Sequence, residues 1–207
     1  MSRASETIPA GAWPAEEVRS ERLVLRRVHE DDADGIATAV AASLDYLRPW
    51  MPWATLDAAE PRTQRIRVAE ADELWEAGTD FIYSVLLRPE LTVIGEIGLH
   101  RRTGDERAGD KRAGDKRAGD GGMEIGYWID TRYAGRGLGT EAAGLLTDLA
   151  LALPGITRTE IHCDVANQAS AAIPRKLGYQ LDRVEQQPPE APGEQGHRMV
   201  WVLRGAG

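Results

Sequence analysis

The run Tyr133-Ala-Gly-Arg-Gly-Leu-Gly-Thr-Glu-Ala-Ala143 constrains this chain more than any other segment. It joins a strand-like stretch, Met123 to Ile129, to a strongly helical one, Leu138 to Leu153. Gly135, Gly137 and Gly139 alternate through the junction, so no β-carbon crowds the backbone amides as the helix begins. Free N–H groups at the positive end of a helix dipole make an anion site, and a phosphate suits it. Arg136 adds a fixed positive charge beside them. The turn is shaped to hold a pyrophosphate; a plain strand-to-helix turn without a ligand is the alternative.

Periodicity supplies the rest of the architecture. Arg22 to Val28 reads as a strand, and Asp31 or Asp32 can cap a helix bearing Ile36, Val40, Leu44 and Leu47 at helical spacing. Tyr46 to Trp53 is aromatic and broken by prolines, hence a loop. Pro61 opens a second helix that Gly78 closes. Phe81 to Leu87 and Thr92 to His100 alternate as strands about the Arg88-Pro-Glu90 turn. After the glycine junction and its helix come a strand, Thr159 to Val165, and a helix, Gln168 to Leu177. A final strand pair follows, Tyr179 to Glu185 and Arg198 to Leu203. This order predicts one α/β (mixed α+β) domain over 21–207, behind an N-terminal extension at 1–20. Its core would be a mixed, mostly antiparallel sheet of about seven strands with helices on both faces. Residues 102–121 carry tandem Ala-Gly-Asp-Lys-Arg units, which have nothing to bury and predict an exposed loop.

Net charge is −8, although the stretch 101–120 is locally +2. An acidic body argues against a nucleic-acid partner and suits a cationic one such as an amine. No run of about 18 apolar residues predicts a membrane span, and no apolar segment follows a basic start. The single cysteine, Cys163, leaves no internal disulfide and no cysteine metal cluster, so no metal is expected and the cytoplasm is the plain location.

Three motifs resemble the GNAT superfamily of acyl-CoA-dependent N-acyltransferases, over roughly Glu21 to Leu203. They are Leu47-Arg-Pro-Trp-Met-Pro-Trp53; Glu124-Ile-Gly-Tyr-Trp-Ile129 with the glycine turn; and Asn167-Gln-Ala-Ser170 with Lys176-Leu-Gly-Tyr179. Within the superfamily they are similar to the ribosomal-protein N-terminal-alanine acetyltransferases. The resemblance implies an acetyl-CoA cosubstrate entering where the fourth predicted strand, Met123 to Ile129, splays from the fifth, Thr159 to Val165. Its pantetheine would run beside the backbone of Trp128, Ile129 and Asp130, and its pyrophosphate would meet Gly135, Arg136, Gly137, Leu138, Gly139 and Thr140. Many members place a thiolate-protonating tyrosine on the last helix, where this chain has Pro174; the branch resemblance offers Ser170 instead. It also allows a homodimer through the final strand pair.

Acetyl transfer to an amine requires a neutral amine, a donor for the tetrahedral oxyanion and a proton for the thiolate. Glu96 and Glu124 are the base candidates, each a carboxylate inside an apolar strand. Alternation sets Glu96 with Ile94, Gly98 and His100, and Glu124 with Gly126 and Trp128. His100 is a third candidate, and the Ile129 N–H is the oxyanion donor. Ser170 is the acid, or else a helix-start hydroxyl. Asn167 contacts pantetheine or simply caps its helix, and Lys176, with Arg175, reaches a CoA phosphate or faces solvent. Trp50 and Trp53 wall the acceptor pocket or pack under their loop. The expected activity is N-acetyl transfer to a primary amine, a protein or peptide α-amino group above all. Small amines as acceptors, succinyl-CoA as donor, and an inactive acyl-CoA sensor are the alternatives.

Overall fold

The computed structural model describes residues 13–101 and 121–205, so nearly all of the repeat loop predicted at 102–121 lies outside the described residues. Eight strands build one sheet: β1 (Glu17–Arg19), β2 (Leu23–Arg27), β3 (Asp80–Leu87), β4 (Thr92–His100), β5 (Gly122–Ile129), β6 (Arg158–Asp164), β7 (Gln180–Gln186) and β8 (His197–Arg204). Their order is β1-β2-β3-β4-β5-β6-β8-β7. Only β5 and β6 run parallel; the other neighbouring pairs are antiparallel. The helices are α1 (Ala33–Leu47), α2 (Pro61–Ala77), α3 (Leu138–Leu151) and α4 (Gln168–Lys176). None of them is long and apolar enough to cross a membrane.

All seven predicted strands form, each with ends within about one residue of the pattern read from alternation. The eighth, β1, lies inside the stretch read as an extension and pairs Val18 with Leu25. Three residues are too few for alternation to announce. Helix α1 continues through Tyr46 and Leu47, which the proline-based reading assigns to the loop. Pro49 lacks only its own N–H, and Arg48 before it keeps right-handed helical dihedrals as the C-cap and donates to the Leu44 carbonyl, so the helix runs up to the proline.

Alternation also sorts the two cores. Ile82, Val93 and Trp128 face α1 and α2, packing with Ile36, Val40 and Val68. Met123, Ile125 and Ile161 face α3 and α4, meeting Ala143, Leu146 and Ala171. Fully burying side chains of this size contributes about 1.5–3 kcal/mol each.

The feature that positions the site is a fork. Strands β5 and β6 pair from Gly122↔Arg158 to Glu124↔Glu160 and then separate. Beyond that point β5 stays with β4 as far as Ile129, while β6 stays with β8 as far as Asp164. The expected splay is present, and its vertex is the pair Glu124 and Glu160.

Candidate active site

A cavity of about 600 Å³ opens over the fork. Trp50, Trp53, Glu96, His100, Glu124, Trp128, Asn167 and Ser170 all line it, so eight separately predicted residues converge. Ile129, the glycine turn and Lys176 are not in its wall.

The floor is the β4–β5 ladder. Three same-face pairs succeed one another: Glu96 opposite Trp128, Gly98 opposite Gly126, and His100 opposite Glu124. Four residues of strand separate Glu96 from His100, about 13 Å at an extended rise. The two carboxylates therefore stand at opposite ends of the floor, and a single amine can meet only one of them. Between them the glycines do not leave an open hole. A β-carbon on Gly98 would lie 2.9 Å, and one on Gly126 3.2 Å, from His100 Nε2, so the imidazole occupies the space the glycines vacate. Its Nδ1 is hydrogen-bonded to Asp80 on β3.

At the far end the Trp128 indole N–H donates to Glu96 Oε2 at 3.1 Å. Trp53 leans on Trp128 with ring centroids 5.8 Å apart, and the Arg67 guanidinium stacks over Trp53 at 4.4 Å. Burial raises the Glu96 carboxyl above its ordinary value; Arg67 and the indole N–H oppose the rise without cancelling it. A folded value above the unfolded one contributes stability that is complete below the unfolded value and is lost as pH rises through the folded value. Glu96→Gln is accordingly expected to match wild type near pH 4 and to melt at a higher temperature than wild type at pH 8. Melting curves across that range check it, and a variant less stable at pH 8 would refute it.

On the opposite face, the α4 start is built around Ser170. Asn167 caps the helix, its Oδ1 accepting from the Ser170 N–H at 3.0 Å. Pro174 lies inside α4 and has no N–H to give the Ser170 carbonyl. The Tyr127 hydroxyl, reaching across from β5, donates to that carbonyl at 3.1 Å and sits 3.3 Å from Ser170 Oγ. Burial keeps this phenol protonated far above its usual range. Tyr127 was missed by the sequence reading, although the carbonyl orphaned by Pro174 was a signal that some donor was required. Cys163 packs against the core and also reaches the cavity; burial pushes its thiol up to about 11.

The glycine turn lies beyond the open end of the fork. Gly135 and Gly137 have φ of +73° and +76°, left-handed values that other residues adopt at a cost. Gly137 is the N-cap of α3 and provides no side-chain cap, so the first-turn amides keep their outward donors. Gly139 serves packing: a β-carbon there would stand 3.2 Å from Ile173 on α4. Arg22, unremarked in the sequence, donates to the Arg136 carbonyl at 3.1 Å and pairs with Glu141 in the first turn of α3. That pairing neutralises a carboxylate which would otherwise compete for the helix N-terminus. Lys176 is exposed on the last turn of α4, one turn past Ile173.

Backbone polarity along β5 follows from one bond. The Gly121 carbonyl accepts from the Thr157 N–H on the β6 side. By alternation Ile125, Tyr127 and Ile129 turn their N–H and C=O groups to that side, into the fork. Trp128 turns its backbone toward β4, and the Asp130 N–H is taken by the Ile94 carbonyl at 2.8 Å. Of the three residues expected to meet pantetheine through backbone, Ile129 faces the fork; Trp128 contributes its side chain to the cavity instead.

Comparison with known proteins agrees with this geometry. A protein of Bacillus subtilis strain 168, YdaF, provisionally named a ribosomal N-acetyltransferase, is 24% identical over 160 residues, 77% of this chain and 79% of its own. The structure of RimL, a ribosomal L7/L12 alpha-N-protein acetyltransferase in complex with coenzyme A, superposes with a TM-score of 0.76 at 19% identity, covering 92% of this chain and 98% of that one. The ribosomal-protein-S5-alanine acetyltransferase of Vibrio fischeri gives 0.75 at 18% identity, covering 91% and 96%. Residues 22–180 match the Acetyltransferase (GNAT) domain, a span that contains the fork, the glycine turn and α4, and the chain therefore belongs to the GNAT acetyltransferase family.

Proposed function

We propose that the chain transfers an acetyl group from acetyl-CoA to a primary amine, specifically the α-amino group of a protein or peptide N-terminus. The observation that carries this reading is the fork: β5 backbone beyond Glu124 that has no β6 partner among the described residues, an uncapped helix N-terminus beyond it, and Glu124 and Ser170 facing one cavity. Coenzyme A in the related RimL structure and the ribosomal-protein substrates of these neighbours support it.

In this reading the pyrophosphate rests on the amides from Arg136 to Thr140, with Arg136 beside it, and the pantetheine amides pair with β5 backbone at Ile129. Trp50, Trp53 and Trp128 wall the acceptor side, and Glu96 orients Trp128. Glu124 takes the ammonium proton. The neutral amine then attacks the thioester carbon, the Ile129 N–H stabilises the oxyanion, the C–S bond breaks, and Ser170 passes a proton to the thiolate. An α-amino group has a pKa of about 8, so one carboxylate with a proton outlet suffices.

A thermal-shift titration with acetyl-CoA, succinyl-CoA and CoA, followed by thiol-release assays on N-terminal peptides and small amines, tests this. At about 100 times its dissociation constant acetyl-CoA should stabilise the fold by roughly 2.7 kcal/mol. Peptides with a free N-terminus should release thiol, and N-blocked ones should not. No shift with any CoA species would sink the reading. Binding without turnover would favour an acyl-CoA sensor.

A further inference from the structure

We infer that Glu124 is the centre of a proton relay whose outlet is His162, clamped by Glu160 on β6. The inference rests on the acetyl-transfer reading and assigns His162 and Glu160 a part in it.

The vertex of the fork carries a row of ionisable side chains running across four strands. Register places Asp80 opposite His100, His100 opposite Glu124, and Glu124 opposite Glu160. His162 stands two residues along β6 from Glu160, on the same face. Its Nε2 is 2.9 Å from Glu160 Oε2, and its Nδ1 is 3.6 Å from Glu124 Oε2. The hydrogen bond from His162, aided by Arg158 at 2.8 Å, holds the Glu160 carboxyl down to about 2. Glu160 is therefore a fixed anion that acts as an acceptor only. It sets the imidazole proton on Nε2 and points the Nδ1 lone pair toward Glu124.

His162 Nδ1 is buried and has no hydrogen-bond partner among the described residues. An unsatisfied buried acceptor is costly, and a buried group left so needs a reason. Here the reason is the proton that Glu124 must pass on. The acceptor ammonium gives a proton to Glu124; Glu124 gives it to His162 Nδ1; the resulting imidazolium lies between two carboxylates, as the imidazolium of a catalytic triad lies against its aspartate. The second amine proton leaves through Ser170 to the thiolate. After product release the imidazolium returns its proton to water. Ammonium and thioester thus become amide, thiol and one released proton, with nothing oxidised or reduced. Among the described residues, the other titratable or charged groups lining the cavity beside the imidazole are Cys163 and Asp164 on its own strand, His197 and Arg198 on β8, and Glu190 and Glu194 in the β7–β8 connection. Asp164 is already committed to the backbone N–H groups of Ala166, Gly196 and His197, and Arg198 to Glu185. His162 is a relay and positioning residue, since it acts through Glu124.

The full chain carrying His162→Gln, assayed with acetyl-CoA and an N-terminal peptide, tests this. At pH 7 kcat should fall by about tenfold or more, with KM for acetyl-CoA unchanged. At pH 9.5, where an α-amine of pKa about 8 is already neutral, the rate should return to within about threefold of wild type. Glu160→Gln should show the same pH pattern and serves if His162→Gln fails to fold. Wild-type rates at pH 7, or a loss equal at both pH values, overturns the relay while leaving acetyl transfer intact. Should wild type acetylate no amine, the functional reading fails, and the relay is judged by side-chain nitrogen NMR. An Nε2–H tautomer for His162, with an Nδ1 resonance that moves in Glu124→Gln, supports it; an Nδ1–H tautomer or indifference to Glu124 overturns it.

Discussion

Glu124→Gln is expected to lower kcat for peptide acetylation by about 10²- to 10⁴-fold, the range lost with a general base. The dissociation constant for acetyl-CoA should stay within about threefold of wild type, because Glu124 lies at the fork vertex, away from the glycine turn proposed to hold the pyrophosphate. The choice of Glu124 over Glu96 rests on the floor geometry. Glu96 shares its end with the Trp128 indole and a stacked Arg67, groups that orient and wall a pocket. Glu124 stands at the vertex with an imidazole on the neighbouring strand to either side, His100 tied to Asp80 and His162 tied to Glu160. The amide of Gln keeps the shape of the side chain and removes the proton acceptor. The loss should therefore appear in kcat at neutral pH and shrink as the medium deprotonates the amine. Steady-state rates at pH 7 and 9.5, with acetyl-CoA binding measured calorimetrically, check both halves. A Glu124→Gln enzyme with wild-type kcat at pH 7 would return the base role to Glu96 or His100.

Most of what places these residues was legible along the chain, and what was not shares one physical origin. A charged residue inside an apolar alternating strand stands out locally, which is why Glu96 and Glu124 could be singled out. The glycine turn is equally local, since backbone freedom and an uncapped helix start are properties of a few consecutive residues. Partnerships are different. Asp80 with His100 depends on the β3–β4 register, and Glu124 with Glu160 on a parallel pairing between strands with a whole helix between them. Arg22 reaches Glu141 across 119 residues of sequence. Tyr127 falls on the strand face with Met123 and Ile125, so periodicity assigns it to the core, which is only half of its role. Pro174 did allow more to be read. Its missing N–H was visible, and the residue four positions earlier, Ser170, was already a candidate; the orphaned carbonyl between them called for a hydroxyl or amide donor.

Gly137→Glu is expected to abolish measurable stabilisation by acetyl-CoA, with affinity lowered by about 100-fold or more, roughly 2.7 kcal/mol. Three effects act in the same direction. At a φ of +76° any side chain costs about 1–2 kcal/mol of backbone strain, so the turn will resist its native shape. The introduced carboxylate also lies at the N-terminus of α3, where it can itself accept from the first-turn amides that would hold a pyrophosphate. Finally, a β-carbon at this position stands 3.8 Å from Arg22 Nη2, close enough for the new anion to draw that guanidinium away from Glu141 and the Arg136 carbonyl. Gly137→Ala separates these contributions, because it imposes the strain without the charge and meets no closer atom than Arg22. Its affinity should fall by only about tenfold, the share belonging to strain alone. Thermal-shift titrations of wild type and both variants against acetyl-CoA read all three numbers in one experiment. If Gly137→Glu binds acetyl-CoA as wild type does, the pyrophosphate does not lie on the α3 N-terminus, and the glycine turn is a device for packing α3 against Ile129 and Ile173.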